Sequence, residues 1–186
     1  MENKIVIAVT GASGSIYAKL LLDRLVSAEI PASNIALIFS KNAEDVWKYE
    51  LEGHDFSSYP FEIMDRSDFF KGPASGSAGY RTMIICPASM GTLGRIAAGI
   101  SDDLITRAAD VILKERGTLI LVPRETPYNL IHLRNLTALA EAGAVIVPAS
   151  PSFYSKPTTI ADAANTVIDK VLSIAKLDKP GFVWGQ

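Results

Sequence analysis

Ile5-Val6-Ile7-Ala8-Val9-Thr10-Gly11-Ala12-Ser13-Gly14-Ser15-Ile16-Tyr17 is an apolar run of strand length that passes through two glycines into an amphipathic segment. Continuous aliphatic residues, rather than alternating ones, mark a strand buried on both faces, as in a parallel sheet. The glycine and serine corner then opens a helix whose first amides lack intrahelical partners and, together with the dipole, favour a phosphate. Gly11-Ala12-Ser13-Gly14 lacks the full G-x-G-x-x-G spacing, and no Walker lysine follows it. It reads either as a tight turn or as an anion cradle.

The same strand-corner-helix unit recurs along the chain. Residues 17–28 read as a helix with Leu20, Leu21, Leu22, Leu25 and Val26 on its inner face. Residues 35–39 form a second strand closed by Ser40, and 41–50 a second helix with its charges outward. From 52 to 79, breakers at 57–60 and 72–79 leave only Phe61-Glu62-Ile63-Met64 strand-like, and the path between 57 and 79 stays open. Residues 81–86 are a buried strand that Pro87-Ala88-Ser89-Met90-Gly91-Thr92-Leu93 turns into a helix ending near Ala98.

A helix over 102–116 begins with Asp102-Asp103 and ends with basic residues, as the macrodipole prefers. A strand at 118–122, a helix at 129–142 stopped by Gly143, and a last strand at 144–147 follow. A closing helix over 158–175 is capped by Thr158 or Thr159, and a tail from about residue 176 carries Trp184, placed to pack on a neighbour. This alternation predicts an α/β fold over 1–186: a single-domain, Rossmann-like (flavodoxin-like) doubly wound parallel sheet. Ligands then gather at the carboxyl ends of the strands, at Thr10, Ser40, Cys86, Val122 and Val147.

Eighteen basic and twenty acidic residues leave a net charge of -2, which argues against nucleic acid or an anionic membrane surface as partner. No apolar run is long enough to span a bilayer, and Met1-Glu2-Asn3-Lys4 starts no basic-then-apolar leader, so a cytoplasmic protein is expected. Cys86 has no partner for a disulfide, and with His54 and His132 it makes no ligand spacing, so no metal is expected.

Several residues at the strand ends are open to two readings. Ser89 and Thr92 either cap a helix or bind a ligand's phosphate. Arg124-Glu125, stiffened between Pro123 and Pro127, favours a functional reading. Tyr154, Lys156 and Lys170 are either ordinary surface or part of a site. Arg107 and Lys114 share a helix face, which is a solvated stripe unless an anion or a neighbouring subunit meets it. His132 and Cys86 are most simply structural.

Taken together and in order, Thr10-Gly11-Ala12-Ser13-Gly14, Ser40-Lys41, Pro73-Ala74-Ser75-Gly76-Ser77, residues 86–93, 104–110 and 113–116, Val122-Pro123-Arg124-Glu125 and Pro151-Ser152-Phe153-Tyr154 resemble the UbiX flavin prenyltransferase family. The resemblance covers nearly the whole chain. It implies FMN bound by Gly11, Ala12, Ser13, Ser40, Ser89, Met90, Gly91, Thr92 and Arg124. It implies dimethylallyl monophosphate held through its phosphate by Tyr154 and Lys170, with Arg107, Lys114 and Glu125 lining the pocket, some from an adjoining subunit. Some family members carry arginine where Lys170 stands; lysine keeps the charge without the bidentate fork.

The reaction so implied joins the prenyl unit to N5 and C6 of reduced FMN, without a metal, and supplies prenylated FMN to UbiD-type decarboxylases, as in ubiquinone biosynthesis. Arg107 and Lys114 neutralise phosphate, while Ser13, Glu50 and Glu125 handle protons; Glu50 matches a family glutamate in its spacing from Ser40. A homo-oligomer, in the family often a dodecamer, is implied as well. The rival readings are an FMN-dependent cysteine decarboxylase and a non-catalytic flavin carrier subunit. The first lacks its expected histidine base, and the second has no use for Tyr154 and Lys170.

Overall fold

The computed structural model describes residues 4–177. Its first strand, β1 (Lys4–Val9), is buried from Ile5 onward on both faces, as an uninterrupted aliphatic run requires. It is followed by α1 (Ser15–Ser27), β2 (Ile35–Phe39), α2 (Lys41–Glu50), β3 (Glu62–Met64) and β4 (Tyr80–Ala88). Then come α3 (Met90–Ala97), α4 (Leu104–Lys114), β5 (Thr118–Pro123), α5 (Leu130–Glu141), β6 (Val145–Ile146) and α6 (Ile160–Ala175).

All strand pairs are parallel, and the sheet order is β3-β2-β1-β4-β5-β6. This is the Rossmann order; without the three-residue edge strand β3 it becomes the flavodoxin order. The chain winds outward from β1 in one direction, then returns to lay β4 on the other side of β1. Crossovers therefore leave in opposite directions between β1 and β4, which opens a crevice at their carboxyl ends.

Alternate strand residues feed two cores. Ile5, Ile7, Val9, Ile84 and Cys86 pack under α1, α2 and α6, while Val6, Ala8, Met83 and Ile85 pack under α3, α4 and α5. On α1 the buried apolar residues are Ala18, Leu21, Leu22 and Leu25, spaced i, i+3, i+4, i+7, with Ser15 buried at the helix start. Val26, expected on the inner face, is 43% exposed, because one further residue rotates it by about 100° from Leu25.

The helix over 102–116 is shorter than expected. Asp103 accepts the Thr106 amide at 2.8 Å, and the Thr106 hydroxyl accepts the Asp103 amide at 3.2 Å, a capping box that leaves Asp102 outside. Asn129 caps α5 and Thr159 caps α6 in the same way. Between 57 and 79 the chain makes β3 and short 3-10 turns. Its first part is fastened by Phe56, Tyr59 and Phe61, whose rings join Phe39 and Trp47. The expected tail and Trp184 lie outside the described residues.

Candidate active site

Thr10, at the carboxyl end of β1, fastens the crevice. Its hydroxyl donates to the Pro87 carbonyl at 2.7 Å and accepts the Ser89 amide at 2.7 Å, linking the corners after β1 and β4. Gly11 lies so close to α2 that a Cβ there would stand 2.6 Å from Asn42 Cβ. Gly14 turns into α1 with φ 107°, in the left-handed region.

The phosphate expected at the start of α1 meets a prior occupant. The Glu50 carboxylate accepts the Gly14 amide at 2.9 Å and the Ser15 amide at 2.7 Å. The last residue of α2 thus supplies the negative charge that the α1 N-terminus favours. Burial alone would raise the Glu50 pKa, but hydrogen bonds from the Ser13 hydroxyl and from the Ser15 and Gly14 amides outweigh it and hold the carboxyl below its ordinary range. Of the three residues the resemblance assigns to proton handling, Ser13 and Glu50 meet at this corner, the Ser13 hydroxyl helping to keep the carboxylate ionised.

The room for an anion lies one corner away. A cavity of about 520 Å³ is lined by Gly11, Ser40, Lys41, Asn42, Arg66, Ser89, Gly91, Thr92, Arg95 and Asp103. Two helix starts border it, that of α2 after Ser40 and that of α3 after Ser89. Ser89 also caps α3, but over a long 3.4 Å contact with the Thr92 amide, and the two hydroxyls stand 3.0 Å apart. Capping and ligand binding are thus compatible at Ser89.

Arg124 leaves β5 on the other side of the β1 corner, and its Nε donates to the Ser13 carbonyl at 2.9 Å. Tyr17 packs against the same corner: its ring is 3.0 Å from where a Gly14 Cβ would stand. Burial pushes the Tyr17 phenol up, Cys86 adds to the rise, and Arg124 opposes it. Glu125 is exposed beside this group and accepts the Thr126 amide at 2.9 Å. Met90 and Ala12 are buried and Gly91 exposed at the two corners.

Three of the remaining expected residues lie on helices that run back toward the opposite edge. Arg107, on α4, donates to the Ala74 carbonyl at 3.1 Å and pairs with Asp110 at 2.8 Å, so it holds the loop over residues 72–78. Lys114 ends α4 beside Glu115, Arg116 and Gly117, next to the first residues of β4 and β5. Within one chain the structure therefore does not bring Lys114 to the crevice: α4 runs antiparallel to the strands and carries its C-terminus to their amino ends. Lys170 is exposed on α6, one turn beyond Thr166, whose hydroxyl accepts the Ser152 amide at 2.9 Å from the loop that bears the exposed Tyr154.

A family model described as Flavoprotein matches residues 1–176. The flavin prenyltransferase UbiX of Methanocaldococcus jannaschii is 40% identical over 185 residues, which are 98% of each chain. The chain belongs to the flavin prenyltransferase UbiX family.

Among solved UbiX-type structures, AnUbiX (PadA1) in complex with FMN and dimethylallyl pyrophosphate superposes with a TM-score of 0.93 at 37% identity, covering 100% of this chain and 99% of that one. A dodecameric FMN-dependent Ubix-like decarboxylase from Escherichia coli O157:H7 superposes at 0.89, with 36% identity over 97% and 98% of the two chains. Among the described residues no helix is long and apolar enough to cross a membrane, and no group of three or more His, Cys, Asp or Glu is placed to hold a metal ion. The hydroxyls, helix-start amides and cations around the cavity are a donor set that fits the phosphomonoester of a flavin nucleotide.

Proposed function

We propose that this chain is a flavin prenyltransferase, joining a dimethylallyl group to N5 and C6 of reduced FMN. The observation that carries this reading is full-length kinship, 40% identity over 98% of both chains, with a flavin prenyltransferase. Reduced FMN, when bound, supplies the two nucleophilic atoms.

The chain's own residues have three tasks. Gly11, Ala12, Ser13, Ser40, Arg124 and the segment 89–92 hold the flavin nucleotide, with Ser89, Met90, Gly91 and Thr92 at its phosphate. This assignment is supported by the cavity at α3 and by the occupation of the α1 amides by Glu50. Tyr154 and Lys170 hold the phosphate of the prenyl donor, and charge that develops there as the allylic C–O bond breaks is stabilised by cationic donors. Arg107 and Lys114 belong to this set through a neighbouring subunit of a homo-oligomer, a dodecamer in our reading, as in the Escherichia coli relative.

Forming both bonds would remove one proton from N5 and one from C6, place one proton on the donor's alkene carbon between the two bonding carbons, and release phosphate with the electron pair of the broken C–O bond and the other proton. Glu50, held ionised with Ser13 against it, is suited to take one, and Glu125 on the facing rim is the second carboxylate. We assign the donor as dimethylallyl monophosphate, the AnUbiX complex holding the pyrophosphate. The recipient of the product is a UbiD-type decarboxylase in the cytoplasm. The test is transfer: flavin from an anaerobic reaction, freed of protein, should activate an apo UbiD-type decarboxylase that FMN alone leaves inactive. Failure to activate, with the decarboxylase shown competent toward authentic prenylated FMN, would contradict the reading.

A further inference from the structure

The cavity between the starts of α2 and α3 is lined by three cationic side chains that are not equivalent. Arg95 is committed, its Nη1 lying 2.9 Å from Asp102 and 3.4 Å from Asp103. Lys41 is exposed on the first turn of α2. Arg66 is half-buried and, among the described residues, forms no ion pair or side-chain hydrogen bond. The adjacent Asp65 directs its carboxylate to the Ser67 amide at 2.9 Å and hydroxyl at 2.7 Å.

We propose that Arg66 is the specificity residue that recognises the phosphate of the flavin and makes the chain select FMN over riboflavin. This rests on the flavin reading above and adds to it a residue from the turn after the edge strand. Ser89, Thr92 and the helix amides offer hydrogen bonds but no formal charge, whereas a phosphomonoester carries close to two negative charges. A guanidinium with no carboxylate at ion-pair distance among the described residues, Asp65 acting on it only through space, supplies that charge in a fork matched to phosphate oxygens. The Arg95 pair has a complementary part: it offsets Asp103, the one acidic group lining the cavity, and so keeps the potential there positive.

The backbone fixes Arg66 independently of its side chain. The Arg66 carbonyl accepts the Leu104 amide at 2.7 Å, pinning the turn after β3 to the first residue of α4 beside its Asp103 cap. Removing the guanidinium therefore leaves the loop anchored.

The experiment is a titration of flavin-free protein with FMN and with riboflavin, followed by quenching of flavin fluorescence. Arg66→Ala should weaken FMN by about ten-fold or more, the loss expected for one charge-assisted hydrogen bond, and leave riboflavin unchanged. Arg66→Lys should recover part of the FMN affinity, and added salt should narrow the gap between wild type and Arg66→Ala. An unchanged FMN-to-riboflavin ratio in folded Arg66→Ala, or in Arg66→Gln should the alanine variant not fold, would overturn the proposal while leaving the flavin reading intact. Wild-type protein that bound neither flavin would overturn both.

Discussion

The Glu50 carboxylate accepts the Ser15 amide at 2.7 Å, joining the last residue of α2 to the first residue of α1 across 35 positions of sequence. In a dinucleotide-binding corner the start of the first helix faces a ligand's phosphate; here a side chain of the protein stands there. The consequence is that an ionised carboxylate is kept in the crevice, and the proposed place for the nucleotide's phosphate is the start of α3 instead.

Glu50 makes stability depend on pH with a definite sign. Its folded pKa is depressed, so its contribution is complete above the unfolded carboxyl value, about 4.3, and is lost as pH falls through the folded value. Glu50→Gln should lower neutral-pH stability by about 0.5 kcal/mol, solvent screening limiting the helix-terminus effect. Urea unfolding should show the gap between wild type and variant closing in acid; a gap that widened there would contradict the assignment.

Thr10 is almost wholly buried, and its hydroxyl serves both the Pro87 carbonyl and the Ser89 amide. Thr10→Val keeps the shape, leaves the Ser89 amide without its partner and leaves the Pro87 carbonyl only the longer 3.3 Å bond from the residue-10 amide, at a cost of about 1–3 kcal/mol. FMN binding should weaken as well, because the Ser89 corner loses its tie to β1. Denaturant unfolding and flavin titration of the one variant measure both effects.

Gly11→Ala should perturb binding more than folding. The added Cβ meets Asn42 Cβ at 2.6 Å, and relief requires a shift of the α2 start that borders the cavity. Overpacking of this kind costs about 1–3 kcal/mol. A thermal melt and an FMN titration should show a modest fall in melting temperature beside a clear loss of affinity.

Lys114 lies at the amino ends of β4 and β5, whereas Glu50 lies at the carboxyl end of β1. A site that needs both is built from two subunits. Lys114→Ala and Glu50→Gln should each abolish most prenylation, and mixed oligomers obtained by co-expression should regain part of it. No regain, in oligomers shown to be mixed, would return Lys114 to the status of a surface residue.

Glu125→Gln should slow product formation by about 100-fold or more, as for loss of a proton-transfer group, with FMN affinity nearly unchanged. Glu125 is exposed and, among the described residues, bonds only its neighbour's amide, so its removal disturbs no described corner. Anaerobic product formation and flavin titration separate the two quantities; equal loss of both would remove the role.

What the sequence disclosed follows from how local each signal is. The helix over 41–50 and the strand over 35–39 were legible because period and boundary residues lie within one segment. The two corners were legible as glycine and serine breaks after buried strands. Glu50 was found only through family spacing, since nothing local says that a residue ending α2 caps α1. Arg66 was not singled out because the strand-like run over 61–64 lies in a stretch of breakers whose path stayed open, so its carboxyl end was not counted among the ligand-bearing ends. Lys114 shows the converse limit: a residue carried over from the family by position, and placed by one chain away from the crevice, needs the assembly to say which site it serves.

The most direct measurement is the mass of flavin released after anaerobic incubation of the purified protein with FMN, dithionite and dimethylallyl monophosphate. A flavin prenyltransferase gives FMN heavier by one five-carbon prenyl unit, and Glu50→Gln gives far less of it in the same time. Unmodified FMN from protein shown to hold the reduced flavin would contradict the assignment.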